Sequence, residues 1–445
     1  MSLGCASSNK IKPEKTSQEF IFPKNFLWGA ATSSHQVEGN NTNNDWWQWE
    51  QRLPLKMHAG QACDEWNRFE EDFKLAESIG LTAYRFSLEW SRIEPAPGQF
   101  ENSALDHYRV MILSLKSKGI EPVVTLNHFT IPLWLVSLGG WDSDKTPELF
   151  ARYVGKVTEA LGGDVRYWMT LNEPVVYTYK GYMSGEWPPG KREPKEAIEV
   201  FKNLLRAHVL AYERIKEVYT QKGWKAPKVG IAQSVIIFRA CSDASLRDRI
   251  AARFRHWMFN HLFVQALIRG KAYCVGLFNI HLPKAKTLDF IGLNYYTRDF
   301  VLHHGFGFPG ILGQACTVTI AQDRHTGKDN FLSWDIYPKG LYTFLKDFSR
   351  YNLPLLISEN GIATNDDTER VNFIVEHLKA VARAMKERAP VIGYFYWSLL
   401  DNYEWAQGFV PRFGLIDVNY ITQERKVRES ARKFEEIIKS GKLNL

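Results

Sequence analysis

Two hydrophobic patterns alternate along the chain. Short, nearly continuous apolar runs lie at Phe26–Thr32, Ala83–Leu88, Pro122–His128, Val165–Asn172, Lys228–Val235, Asp289–Tyr295, Leu353–Glu359 and Val391–Trp397. Runs of this kind suit parallel strands buried on both faces. Between them, apolar residues recur at helical spacing, at roughly 64–80, 103–118, 147–161, 195–221, 244–270, 338–350, 367–388 and 428–440. The first stretch shows the logic. Asp64 can cap a helix, Trp66, Phe69, Phe73, Ala76 and Ile79 line one face, and Gly80 can end it. Eight strand-helix pairs predict an α/β fold, a closed (β/α)8 TIM barrel.

No Pro/Gly/Ser-rich linker and no internal repeat divides the chain. A single barrel domain over residues 21–445 is therefore expected, preceded by a polar, Lys/Ser-rich, disordered segment over residues 1–20. Asn40 to Gln61 and Phe300 to Leu332 are too long for simple turns. In a barrel such loops build the catalytic face.

Composition narrows the function. The 445 residues carry a formal charge of +7, with the two signs interspersed rather than gathered in a basic stripe, so no nucleic-acid partner is expected. No run of about 18 apolar residues exists, which argues against a membrane span. Cys5, Cys63, Cys241, Cys274 and Cys316 are odd in number and widely spaced, so reduced, mostly buried thiols are expected rather than a disulfide framework. His256 and His261 are five apart, a spacing that does not share one helix face, and no metal site is expected there. The first twenty residues lack the apolar core of a secretory signal. A cytoplasmic location is expected, with a lipid-anchored or exported form as the alternative because Leu3-Gly4-Cys5 resembles the end of a lipoprotein signal. Oligomeric state stays open.

Two carboxylates carry the candidate chemistry. Glu173 lies in Thr170-Leu171-Asn172-Glu173-Pro174 and Glu359 in Ile357-Ser358-Glu359-Asn360-Gly361, each at the end of a predicted strand. In a barrel that end is the site mouth. Hydrolysis of a glycosidic bond needs such a pair, one group protonated to release the leaving oxygen and one ionised. Either glutamate alone could be a solvated carboxylate at a strand-loop junction. Two equivalent placements favour catalysis.

From about Phe22 to Arg432 the chain resembles glycoside hydrolase family 1, the β-glucosidase family. The resemblance is carried by Phe26-Leu27-Trp28-Gly29-Ala30-Ala31-Thr32-Ser33-Ser34-His35-Gln36-Val37-Glu38-Gly39, Tyr84-Arg85-Phe86-Ser87, Thr125-Leu126-Asn127-His128-Phe129 and Asn172-Glu173-Pro174. It continues through Gly292-Leu293-Asn294-Tyr295-Tyr296, Ser358-Glu359-Asn360-Gly361, the segment from Gly393 through Trp397 to Glu404-Trp405, and Arg412-Phe413-Gly414-Leu415.

The resemblance implies a retaining β-glycosidase without cofactor or metal, with Glu173 as acid/base and Glu359 as nucleophile, their carboxyls about 5–5.5 Å apart. Arg85, Asn172, Asn294 and Tyr296 would support them, and Arg85 and Tyr296 would keep Glu359 ionised. Gln36, His128, Asn172, Glu404, Trp405 and Phe413 would hold the sugar over Trp397. The substrate would be a small-molecule or oligosaccharide β-glycoside. Glu404-Trp405 without a nearby lysine favours an unphosphorylated sugar, because a carboxylate beside O6 would repel phosphate. Glucoside preference is expected, with galactoside or fucoside activity and transglycosylation also open. Asn44-Asp45-Trp46-Trp47-Gln48-Trp49 and Val175 depart from the commoner family pattern and leave aglycone preference open, and the stretch from Gly270 to Asp289 is short. A catalytically silent glycan-binding protein on the same barrel is the rival reading. Both glutamates being present speaks against it.

Overall fold

The computed structural model describes residues 19–274, 276–316, 332 and 334–445. Eight parallel strands close on one another: β1 (Leu27–Ala31), β2 (Ala83–Ser87), β3 (Glu121–Asn127), β4 (Tyr167–Asn172), β5 (Lys228–Ala240), β6 (Ile291–Leu302), β7 (Leu355–Asn360) and β8 (Val391–Trp397). Each pairs with the next, and β8 returns to β1 with Trp397 opposite Ala31. All eight predicted strands are present. Ala83, Val123, Tyr167, Met169, Ala232, Leu356 and Phe395 form a separate buried cluster from the strands, the packed interior that makes such a barrel a floor rather than a pore.

Around it run α1 (Glu65–Ser78), α2 (Asn102–Ser117), α3 (Thr146–Leu161), α4 (Pro194–Lys222), α5 (Leu246–Asn260), α6 (Leu262–Arg269), α7 (Pro338–Phe348), α8 (Asp367–Lys386) and α9 (Glu429–Ser440). On α3 the buried face is Phe150, Tyr153, Val154, Val157 and Leu161, the three- and four-residue spacing of a core-facing stripe. Two expectations change at this level. Asp64 makes no side-chain cap to α1 and sits at φ +53; its carboxylate instead accepts from Asn67 at 2.7 Å and Arg68 at 3.3 Å. The single helix expected over 244–270 is two, broken at His261.

The break belongs to a bulge in the neighbouring strand. Between Val235 and Ile237 the β5–β6 register shifts, so Ile236 leaves the ladder. Its N–H donates to the Asn260 side-chain oxygen at 2.9 Å, and its carbonyl accepts from the Asn260 amide at 3.0 Å. A half-buried bulge still needs partners for its backbone groups, and here the last residue of α5 supplies them.

Beyond the bulge, β5 and β6 run on together to Ala240 and Val301. Cys241 N–H bonds to the Val301 carbonyl and Cys316 N–H to the Phe300 carbonyl, each at 2.9 Å. The two cysteines form a disulfide with Cα atoms 5.7 Å apart, which corrects the expectation of reduced thiols for this pair. They are 75 residues apart in sequence, so only the long strand extension brings them together. Cys63 and Cys274 are buried free thiols, as expected, and Cys5 lies outside the described residues. So do residues 1–18 of the predicted disordered segment; its last two residues, Glu19 and Phe20, pair with Asn444 and Leu443.

The C-terminal region is tied to α1 by a buried ion pair. Arg425 donates to both Asp72 oxygens, at 2.9 and 3.2 Å, and both side chains are almost fully shielded. Breaking such a pair from one side strands a charge. Arg425→Met should lower unfolding stability by about 3–5 kcal/mol, and adding Asp72→Asn should recover part of that loss, both read from urea unfolding at pH 7.

Candidate active site

Glu173 follows β4 directly, with its backbone at φ +45 and ψ +55. That left-handed conformation is uncommon for a residue with a side chain. It is held by the Glu173 N–H bond to the Ala232 carbonyl at 2.7 Å and by Pro174, which opens the short helix Pro174–Thr178. Across the barrel, Glu359 is the penultimate residue of β7. The Gly361 that follows has a packing reason, since a Cβ there would stand 1.8 Å from the Trp397 carbonyl oxygen.

A network behind the two carboxyls joins five strands. Arg85 on β2 is completely buried. Its guanidinium pairs with Glu359 Oε1, donates to Thr125 at 3.0 Å and to the Asn172 side-chain oxygen at 2.7 Å. Tyr296 donates its hydroxyl to the other Glu359 oxygen at 2.6 Å. Asn294 donates to Glu173 at 2.9 Å and to Asn172 at 3.1 Å, and accepts from Ser358 at 2.7 Å. Asn172 contacts His128 Nε2 at 3.0 Å. Every predicted supporting residue is thus in one bonded set.

The electrostatic consequence is asymmetric. Burial first, and then the charge of Glu359, push the Glu173 carboxyl up to about 8. Glu359 is also raised by burial, but Arg85 and the Tyr296 hydroxyl pull it back toward the ionised form. Glu173 has a hydrogen bond from Asn294 and a weaker influence from Arg85. The group without a guanidinium partner is the one that keeps its proton.

The sugar-binding candidates surround this pair. A cavity of about 580 Å³ is lined by Gln36, His128, Asn172, Glu173, Tyr296, Glu359, Trp397, Glu404, Trp405 and Phe413, while Arg85 and Asn294 stand behind its wall. His128 lies parallel to both Trp397 and Trp405, with ring centroids 5.9 and 6.0 Å away. Burial and then Arg85 hold its imidazole well below the usual histidine range, so the ring is neutral. Among the described residues its buried Nδ1 has no hydrogen-bond partner. Gln36 is oriented by the Asn402 oxygen at 2.9 Å and the Tyr403 carbonyl at 2.7 Å, and reaches Glu404 at 3.4 Å.

Among the wall residues Trp187 carries no signal strong enough to be read from sequence, whereas the Asn44–Trp49 stretch and Val175 are marked by their departure from the family pattern. Trp187, in the Trp187-Pro188-Pro189-Gly190 loop, stands 6.0 Å from Trp405; an aromatic inside a Pro/Gly-rich loop was the available hint. Trp46 from the divergent Asn44–Trp49 stretch is buried behind Trp405, 4.7 Å between ring centroids. Val175 lines the cavity itself. His256 and His261 do converge with Asp347, their ligand atoms within 4.8 Å. Asp347 comes from α7, which spacing along one helix could not reveal. Its carboxylate is already taken by His261 at 2.9 Å and Arg350 at 2.8 Å, a cation where a metal ion would stand. The cluster lies outside the cavity wall.

Burial, followed by the charges of Glu359 and Glu173, also lifts Glu404 to about 8. An unfolded glutamate releases its proton near pH 4.3, so between that value and about 8 folding takes up a proton, and stability falls as pH rises through the window. Glu404→Gln should therefore raise Tm more at pH 9 than at pH 5. Equal shifts at the two pH values would show that Glu404 titrates as an ordinary carboxyl.

Known proteins resemble this chain over nearly its whole length. The family model described as glycosyl hydrolase family 1 matches residues 18–443. Beta-glucosidase A of Thermotoga maritima is 34% identical, over 95% of this chain and 98% of its own. A beta-galactosidase of Pyrococcus woesei is 33% identical, over 94% and 97%. Among solved structures, the beta-glycosidase from Pyrococcus horikoshii superposes with a TM-score of 0.87 at 42% identity, over 96% of each chain. With the barrel, the paired glutamates and this coverage in agreement, the chain belongs to glycosyl hydrolase family 1.

Proposed function

We propose that the protein is a retaining β-glycosidase that removes terminal, unphosphorylated β-D-glucosyl residues, with β-galactosides and β-fucosides as further substrates. The observation that carries the reading is the unequal pair: Glu359 held by Arg85 and Tyr296, and Glu173 lifted to about 8. Ionised Glu359 attacks the anomeric carbon while Glu173 gives its proton to the leaving oxygen. The resulting ester removes the negative charge that raised Glu173. Its acidity then increases, and the carboxylate takes a proton from water, which releases the sugar with its original configuration. A sugar hydroxyl in place of that water gives transglycosylation.

Asn172, fixed by Arg85, faces the 2-hydroxyl, a contact that strengthens as positive charge grows on the ring. Gln36, His128, Glu404 and Trp405 hold the remaining hydroxyls, with Trp397 and Phe413 as apolar walls. Rejection of a 6-phosphate rests less on repulsion than sequence suggests, because Glu404 is largely protonated at neutral pH. It rests on the missing cation: from Glu404 to Phe413 the one basic residue is Arg412, committed to Asp401 at 3.3 Å and the Val418 carbonyl at 3.1 Å.

Among the described residues no helix is long and apolar enough to cross a membrane. The Cys241–Cys316 bond suits an oxidising compartment or the cytoplasm of a hyperthermophile. Peptide mapping of the native protein without reductant should find that pair joined in the cells that make it; free thiols at both positions would favour the cytoplasm.

The test of activity is release of nitrophenol from the β-D-glucoside beside the α-anomer, the β-galactoside and the 6-phospho-β-glucoside. The unphosphorylated β-anomers should react, and NMR should show the β-sugar as the first product. Glu359→Gln should abolish turnover. It should also lower Tm, since Glu359 is the counter-ion of a fully buried arginine. Glu173→Gln should cost roughly 10²–10⁴-fold and remove the fall in kcat/KM expected above pH 8. Inversion, or an active Glu359→Gln, would sink the mechanism; a folded protein inert to every glycoside would leave the silent binding protein in its place.

A further inference from the structure

The Asn44–Trp49 stretch, which departs from the commoner family pattern, reaches the sugar end of the site through a residue that the mechanism does not use. His35 precedes Gln36 and is buried. Its ring lies parallel to that of Trp405, with planes 11° and centroids 5.9 Å apart, and meets Tyr403 edge-on at 5.9 Å. It thus touches the residues on both sides of Glu404. Trp405 needs such support. Its backbone is at φ +49, a left-handed conformation that a residue with a large side chain keeps only where its surroundings impose it.

His35 is itself held at both nitrogens, by the short helix Asp45–Glu50 and its cap. Asn44 caps that helix by accepting from the Trp47 N–H at 2.8 Å, which turns its amide nitrogen toward His35 Nδ1 at 3.0 Å. Nδ1 therefore accepts, and the ring proton sits on Nε2, where it is donated to Glu50 Oε1 at 2.8 Å. The other Glu50 oxygen accepts from the Ala59 N–H at 3.0 Å, so this carboxyl cannot swing away without stranding a buried group. Asn44 and Glu50 are fully buried. Trp46, from the same helix, also packs on Trp405, with ring centroids 4.7 Å apart. A flat ring fixed at both nitrogens has one orientation, and the indole parallel to it inherits that orientation.

We propose that His35, fixed by Asn44 and Glu50, is the positioning residue for the turn from Tyr403 to Trp405, and that it sets how strictly the protein reads the 4- and 6-hydroxyls of the sugar. This rests on the β-glycosidase reading, in which Glu404 stands beside O6 and O4 is the neighbouring hydroxyl on the ring. The 2-hydroxyl is read separately by Asn172, which Arg85 holds, so the two ends of the sugar answer to different supports. A hydroxyl contact discriminates only as well as its partner is placed, because a hydrogen bond is directional and weakens steeply when misaligned.

The experiment compares nitrophenyl β-D-glucoside with its 2-deoxy, 4-deoxy and 6-deoxy analogues on the full chain, as wild type, His35→Phe and His35→Gln. Phenylalanine keeps a flat ring against Trp405 but bonds neither partner. Glutamine keeps a donor for Glu50, which guards the fold, but loses the flat ring. In both variants the kcat/KM penalty for deleting the 4- or 6-hydroxyl should shrink by roughly twofold to tenfold, the worth of one hydrogen bond, while the penalty at the 2-position stays as in the wild type. Tm is recorded for each variant to show that it folds. Equal slowing on all four substrates, or unchanged penalties in folded His35→Gln, would assign His35 to packing alone and overturn the proposal. A wild type indifferent to the 4- and 6-hydroxyls would also overturn it, while its hydrolysis of the glucoside leaves the glycosidase reading standing. If the wild type hydrolyses no glucoside, that reading fails and this inference falls with it.

Discussion

A single guanidinium, buried beyond the reach of water, organises the site. Arg85 has to be compensated because an uncompensated charge in the interior costs several kcal/mol. Its partners arrive from three other strands: Thr125 on β3, Asn172 on β4 and Glu359 on β7. Strand register therefore matters to chemistry directly. A slip of any one of these strands would leave the charge unpaired, so the demand that keeps the barrel in register also keeps Glu359 in place. The same residue fixes Asn172, whose amide continues to His128.

Burial supplies the other half of the design. Glu173, Glu359 and Glu404 all have raised affinities for protons, with burial the largest cause in each. What distinguishes them is the neighbour. Glu359 alone has both a cation and a phenol on its carboxyl oxygens. Three acids in one buried pocket thus fall into two states, Glu359 drawn toward the ionised form and Glu173 and Glu404 toward the protonated one. Their common cost is stability at high pH, consistent with sites being placed where function and stability compete.

The strands were readable because a parallel strand covered on both faces is apolar without interruption, as in Val391–Trp397. The candidate site residues were readable because Asn172 and the two glutamates stand at strand ends and the others, such as Glu404 and Phe413 in the loop after Trp397, lie inside distinctive local motifs. What escaped was set by tertiary pairing. The break at His261 exists to serve a bulge more than twenty residues earlier, and nothing in the amphipathic pattern of 244–270 announces it. The Cys241–Cys316 bond needs two strands to overrun the barrel together. Asp64 looked like a helix cap by residue type, but its left-handed backbone points the carboxylate at Asn67 and Arg68 instead. The cavity wall beyond Val175 draws Phe201 from α4, Ile236 from β5, Met258 from α5 and Phe278 from a hairpin, Lys271–Cys274 with Phe278–His281, each of which reads as ordinary core when taken alone.

The disulfide has a bearing on how the cavity meets its ligand. The arc between Leu302 and Cys316 carries Phe308 and Leu312 on the cavity wall. One end is continuous with β6, and the other is fastened twice, through Gln314 and Ala315 pairing back on Leu302 and Val301 and through the bond to Cys241. Such an arc is a hoop of fixed circumference rather than a swinging flap. A ligand entering beside it meets a rim already close to its final shape, and little freedom remains to be lost when the contact forms.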